Sequence, residues 1–255
     1  MFRSLISAAV LVGVVSGLLL TAAQSMGVTP ILLAAEQYEA NTGPTGSGHS
    51  HDHGHGDEGH HHHGSGTWAP VSDAERLFFT ALSNVLAGIG FAAILLVIMT
   101  RLHEHRRLAL TPVFGLLVGL ISYVSVFVAP AIGLPPEVPG AISGDLENRQ
   151  FWWIATVVMV ATGLSVLCLA SGWKKLAGLP LLGLPYLFVP SRPEGPLFAN
   201  SDPSAVAALN DLHLDFIWVS ALTNLAFWLV VGVLCAVILN RLLGTRSGSN
   251  ETTAT

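Results

Sequence analysis

Eight of the eleven histidines fall between residues 49 and 63, in the run HSHDHGHGDEGHHHH. They are His49, His51, His53, His55, His60, His61, His62 and His63, with Asp52, Asp57 and Glu58 among them. Neutral imidazole is a ligand for Co, Ni, Cu and Zn, and carboxylates can complete the oxygen part of a coordination shell. The flanking runs NTGPTGSG and GSGT have the composition of a flexible linker, so a strand bearing many ligands can wrap one ion in several alternative ways. Such a strand binds quickly, exchanges readily and discriminates little among first-row metals. That suits collecting an ion and handing it on. A rigid catalytic centre needs fixed ligands with supporting hydrogen bonds, which this stretch does not offer. Two blander readings compete, an unliganded polar linker and a passive metal buffer. An appended tag would be neither internal nor interrupted.

Other polar groups lie close to apolar runs, where ionisable side chains are costly and default to functional hypotheses. Asp211, His213 and Asp215 form DLHLD where a long apolar stretch begins. In a helix the two aspartates share a face and His213 points elsewhere; in an extended chain all three share a side, as metal ligands should. The competing role is helix capping by carboxylates at a positive dipole end. Glu137 sits in APAIGLPPEVPG among Pro130, Pro135, Pro136 and Pro139, a turn stiff enough to fix a carboxylate as an ion contact or as a brace. Asn84 and Asn224 are neutral ligand candidates whose commoner use is hydrogen bonding between helices. His103 and His105, in RLHEHRR, lie among cations that repel a divalent ion, and read chiefly as part of a topology anchor.

The elements that would position these groups are membrane spans. The chain of 255 residues is 51% hydrophobic and 11% charged, against about 25% charged in soluble domains. Mean hydropathy is +0.61. A net charge of −5 leaves no basic footprint for nucleic acid. Cys168 and Cys235 lie in apolar runs without a CxxC pairing, against a disulfide framework or thiolate site. No nucleotide loop, HExxH or nucleophile elbow appears, so neither an enzyme nor a self-sufficient ATP pump is expected. The expected class is all-α, a polytopic transmembrane bundle.

Five apolar stretches, near 4–24, 77–100, 111–130, 151–171 and 214–239, approach or exceed the ~20 residues that a bilayer needs. A sixth, 176–191, is short and broken by Pro180, Pro185 and Pro190, so it is a short span or a re-entrant piece. Six crossings place Arg3, Arg101, Arg106, Arg107, Lys174, Lys175, Arg241 and Arg246 in the cytoplasm and Arg76, Arg149 and Arg192 outside. That bias follows the positive-inside rule and favours six spans over five, with both termini cytoplasmic in an inner membrane. The layout is then a first span at 1–24, an extracytoplasmic histidine-rich loop at 25–76, the remaining bundle at 77–239 and a disordered cytoplasmic tail at 240–255. The apolar run in 1–24 is longer than a secretory h-region, which favours a retained helix over a cleaved signal. Trp152 and Trp173, roughly 31 Å apart along a helix, are expected at the two interfaces. GxxxG spacings at Gly13/Gly17 and Gly115/Gly119 allow close helix contacts.

APAIGLPPEVPG with DLENRQFWW (129–153), SNVLAGIGFA (83–92) and DAERLFFT (73–80) after a histidine-rich first loop resemble the CbtA family of proposed cobalt transporter subunits. The resemblance implies prokaryotic cobalt import in support of cobalamin synthesis, and a small one-span partner of the CbtB type that also carries histidines. It marks Glu137, Asp145, Arg149, Gln150, Trp152 and Trp153 as motif members. It also implies a histidine after the proline of the short segment, where this chain has Tyr186, and five spans in place of six. The expected function is capture and inward conduction of Co²⁺, with Ni²⁺ or Zn²⁺ as other ions of similar chemistry and no bound cofactor. The alternative is a membrane-tethered metal sink or sensor that transports nothing.

Overall fold

The computed structural model describes residues 2–40, 72–198 and 200–252. The helices are α1 (Phe2–Met26), α2 (Val28–Ala40), α3 (Asp73–Arg106), α4 (Pro112–Gly133), α5 (Leu146–Leu169), the short α6 (Gly178–Gly183) and α7 (Pro203–Thr252). Their starts follow local chemistry. Ser72, Thr111 and Asp145 each accept a hydrogen bond from the backbone N–H three residues on, at 3.1–3.2 Å. Pro112 and Pro203 occupy first-turn positions where a missing N–H costs nothing. Before Pro203, Asp202 accepts from the Ser204 hydroxyl and N–H, and these bonds hold its carboxyl below the usual range.

α4 contains a π turn at Val124–Val128, and Ala129 N–H bonds back to Val124 O. The cause is Pro130, which lacks an N–H and crowds the carbonyl four residues before it.

Four helices make the main core. α1 crosses α3 at Gly13 and Gly17, where an added Cβ on Gly17 would stand 2.6 Å from Val85 Cα. α4 crosses α7 where Gly115 and Gly119 meet Gly232 and the Trp228 backbone. Both expected GxxxG pairs are therefore contact surfaces. Val12, Leu96, Met99, Val231, Cys235 and Leu239 fill the space between. α5 contributes nothing to that cluster.

The five helices long and apolar enough to cross a membrane are Arg3–Met26, Asp73–Arg106, Pro112–Gly133, Leu146–Leu169 and Pro203–Leu243. The segment expected as a sixth span forms no helix of that length. It is a ³₁₀ stretch (Gly172–Ala177), α6, and a second ³₁₀ stretch (Leu184–Phe188). It nevertheless carries the chain back along α5: Gly178 abuts Gly163, the Pro185 carbonyl meets Trp152, and Ser191 meets Gly144. The α5 axis from 163 back to its start at 146 is about 26 Å long. Residues 178–191 cover a similar length, because α6 rises about 1.5 Å per residue and the ³₁₀ and extended backbone after it about 2–3 Å. The arrangement is five helices plus a short return segment, which replaces six full helical crossings. The start of α1 and the end of α7 consequently share one end of the bundle.

Three other expectations change. Residues 28–40, assigned to a loop, are helical. α7 begins well before 214, and it stays helical to Thr252 where a disordered tail was expected. Residues 41–71 lie outside the described residues.

A Gly232→Val change drives a side chain into Gly119, whose N and Cα would lie 2.9 Å from the new Cβ. It should cost about 1–3 kcal/mol and lower the melting temperature in detergent. Gly90→Ala, with open space around it, should be neutral or slightly stabilising.

Candidate functional site

The proline block after α4 builds the end of the bundle at which α1 and α4 finish and α3, α5 and α7 start. Gly140, at φ +80°, turns the chain through a conformation that a side chain would strain. Beyond it Ile142 N–H donates to Leu197 O at 2.8 Å, and Ala141 bridges Phe198. Val138, Phe198, Ala35 and Leu209 bury one another there, so α2, the proline turn, segment 197–198 and the start of α7 form a small second core. Glu137 projects from this turn. Its Oε2 accepts from Arg149 Nη2 at 2.6 Å, and its Oε1 lies 3.9 Å from Arg192 Nη2. The Glu137 side chain is only 12% exposed. With one guanidinium bonded and a second nearby, the carboxylate braces the turn in this state.

DLHLD is helical within α7, so its three polar residues do not share a side. Asp211 and Asp215 are exposed, while His213 is buried edge-on to Phe198, with ring centroids 6.2 Å apart. Nδ1 of His213 has no hydrogen-bond partner among the described residues, and the charges of Arg192 and Glu137 both act on the ring. Among the described residues no group of three or more His, Cys, Asp or Glu is placed to hold a metal. The tract of His49, His51, His53, His55 and His60–His63, with Asp52, Asp57 and Glu58, lies outside them.

A family model, "Probable cobalt transporter subunit (CbtA)", matches residues 2–240. The chain belongs to the CbtA family. It is therefore a membrane-embedded protein with a transport role, in a family of transporter subunits, and a subunit implies a partner. None of the curated proteins and none of the solved structures matches it.

In this CbtA chain the motif members surround the first turns of α5. Glu137, Arg149, Gln150 and Trp153 line a cleft of about 530 Å³ against the end of α4. Asp145 and Trp152 line another, of about 660 Å³, against the return segment. Trp152 turns its indole into the protein. It is buried, fills the space above Gly133, and donates Nε1–H to Pro185 O at 2.9 Å. Trp173 is exposed. Tyr186, in place of the histidine that the resemblance implied, donates its hydroxyl to Ala129 O at 2.9 Å. Asn84 donates to Thr21 Oγ1 at 3.0 Å and Gln24 Oε1 at 2.7 Å, a link between α1 and α3. Asn224 bonds within its own helix, to Ser220 O. His103 donates Nδ1–H to Leu108 O at 2.8 Å and finishes α3. The approach of Arg192 to Glu137 and the burial of Thr156 escaped sequence reading. Thr156 Oγ1 is buried with no partner among the described residues, and a threonine in an apolar run gives no warning of that.

A double-mutant cycle on Glu137→Gln and Arg149→Gln should return a coupling of about 1–3 kcal/mol, read from melting in detergent. Trp152→Phe should cost about 1 kcal/mol through the bond to Pro185 alone.

Proposed function

We propose that this chain is the membrane subunit of a divalent transition-metal uptake system, with cobalt as its ion. In this reading the histidine tract collects ions outside the cell and the helix bundle passes them inward. The match of residues 2–240 to the CbtA family carries the proposal.

Charge placement supports the orientation. Arg3, Arg101, Arg106, Arg107, Lys174, Lys175 and Arg241 gather at one end of the bundle, and Arg76, Arg149 and Arg192 at the other. The positive-inside rule assigns the first end, with both termini, to the cytoplasm of an inner membrane. Ala40 and Ser72, which bracket the tract, then face outward with Asp211 and Asp215. Imidazoles of His49–His63, helped by Asp52, Asp57 and Glu58, raise the local ion concentration, and the two exposed aspartates receive ions at the same end. A cation that reaches Glu137 displaces Arg192, the looser partner at 3.9 Å, before Arg149 at 2.6 Å. His213, buried within reach of the charges of that pair, is the imidazole that the described residues offer it. The partner is a small one-span subunit of the CbtB type with histidines of its own. Ni²⁺ and Zn²⁺ compete for the same ligands.

Radioactive cobalt uptake into sealed, energised proteoliposomes holding both subunits tests this. Deleting 49–63 should slow entry at low cobalt about tenfold, because a tethered ligand array acts through effective concentration, and leave the final level unchanged. Glu137→Gln, with its melting temperature checked, should abolish accumulation. Cobalt held on the wild-type vesicles and never inside them would leave a membrane-tethered sink or sensor in place of a transporter.

A further inference from the structure

The cleft between α5 and the return segment, about 660 Å³, has two chemically different ends. Asp145, Ser191 and Arg192 line one; Ala155, Met159 and Leu184 line the other. From Asp145 to Met159 the cleft follows α5 for about 21 Å. Trp152 marks the middle, and it packs against Gly133, the last residue of α4. The level of Trp152 is therefore the edge of the apolar zone. The polar end lies about 10 Å beyond it and the apolar end about 10 Å within, the depths of headgroups and of upper acyl chains. The open side of the cleft is flanked by Phe151 and Phe188, 77% and 73% exposed. It faces hydrocarbon, so an amphipathic occupant aligned with the membrane normal fits it.

Charge narrows the occupant. Arg149 holds Glu137 at 2.6 Å, whereas Arg192 stands 3.9 Å from it, too far for a hydrogen bond, and is 37% exposed. Its guanidinium can fork onto a phosphate. Asp145 shares the rim; one oxygen caps the Asn148 N–H and its charge remains. Glu147 and Glu194, both exposed nearby, make the surroundings acidic overall. A rim with one available cation among carboxylates suits a headgroup that carries a phosphate and an ammonium, and opposes one that is only anionic.

We infer that this cleft binds one phospholipid with a zwitterionic, primary-amine headgroup, its phosphate on Arg192, its ammonium toward Asp145 and one acyl chain along Ala155 and Met159. The inference does not depend on what the protein transports.

Native mass spectrometry of the full-length chain, released from nanodiscs of equal parts phosphatidylethanolamine, phosphatidylcholine and phosphatidylglycerol, tests it. One phosphatidylethanolamine should remain bound. Arg192→Gln should lower that retention about tenfold, the equivalent of one charge-assisted hydrogen bond. Asp145→Asn keeps a helix cap, so it should erase the preference for ethanolamine over choline while a lipid stays bound. Ala155→Trp should fill the cleft and remove the lipid with little change in melting temperature. Retention unaffected by both Arg192→Gln and Ala155→Trp would overturn the site. Preference for phosphatidylglycerol would overturn the headgroup assignment. Cross-linking from Ala155→Cys to a second protein chain in place of lipid would give the cleft to a partner helix.

Discussion

In a hydrocarbon layer no water is at hand for backbone N–H and C=O groups, so each must find its partner inside the protein. That constraint decides the form of the return segment. Pro180, Pro185 and Pro190 remove three donors within eleven residues, and a lone helix so interrupted would leave carbonyls exposed to lipid. The chain stays against α5 instead. Trp152 donates to the Pro185 carbonyl from across the interface, and Tyr186 donates to the Ala129 carbonyl. Ala129 directly precedes Pro130, so Tyr186 reaches the backbone where α4 is itself disturbed. Two breaks in regular structure are thereby tied to one another, by Trp152 from α5 and Tyr186 from the return segment.

The same constraint divides the bundle into two parts of different character. α1, α3, α4 and α7 touch through glycines and share one core. Glycine contacts let backbones approach, and dispersion then replaces the hydrophobic driving force that lipid cannot provide between helices. α5 and its return segment stand beside that body. They are joined to it mainly at one end, through Trp152 on Gly133 and Arg149 on Glu137. The clefts on both sides of α5 follow from that attachment.

Much of the fold was legible because bilayer thickness imposes a length that apolar runs either reach or miss. Close packing was readable in the GxxxG pairs, whereas α3 and α5 begin at Asp73 and Leu146, ahead of the apolar runs at 77 and 151, because Ser72 and Asp145 cap polar first turns. The surroundings of Trp152 were not readable, for a physical reason. An indole suits an interface, yet it also suits a buried position with one acceptor, and sequence cannot tell whether Pro185 will supply that acceptor. DLHLD was ambiguous for another reason: ligand geometry needs an extended chain, but the helix of α7 begins at Pro203, capped by Asp202 ahead of the apolar run. The partners of Glu137 were out of reach because Arg192 comes from a segment 55 residues later, and no local pattern joins them.

Glu137 shows how a structural brace and an ion contact can be one residue. A carboxylate this enclosed is stable only with its charge compensated, because an isolated buried charge is expensive. Two guanidiniums supply the compensation at unequal distances, so the cluster has one firm partner and one exchangeable partner. A divalent cation arriving from the adjacent end meets repulsion from both arginines and attraction from one carboxylate. It enters favourably only if Arg192 withdraws and the ion brings or finds further ligands, for which His213 is the imidazole at hand among the described residues. An anionic phosphate beside Arg192 would hold that side chain away from Glu137 and lower the barrier to such an exchange. Lipid occupancy of the cleft and cation access to Glu137 would then be linked through a single guanidinium, and by reciprocity each would favour the other.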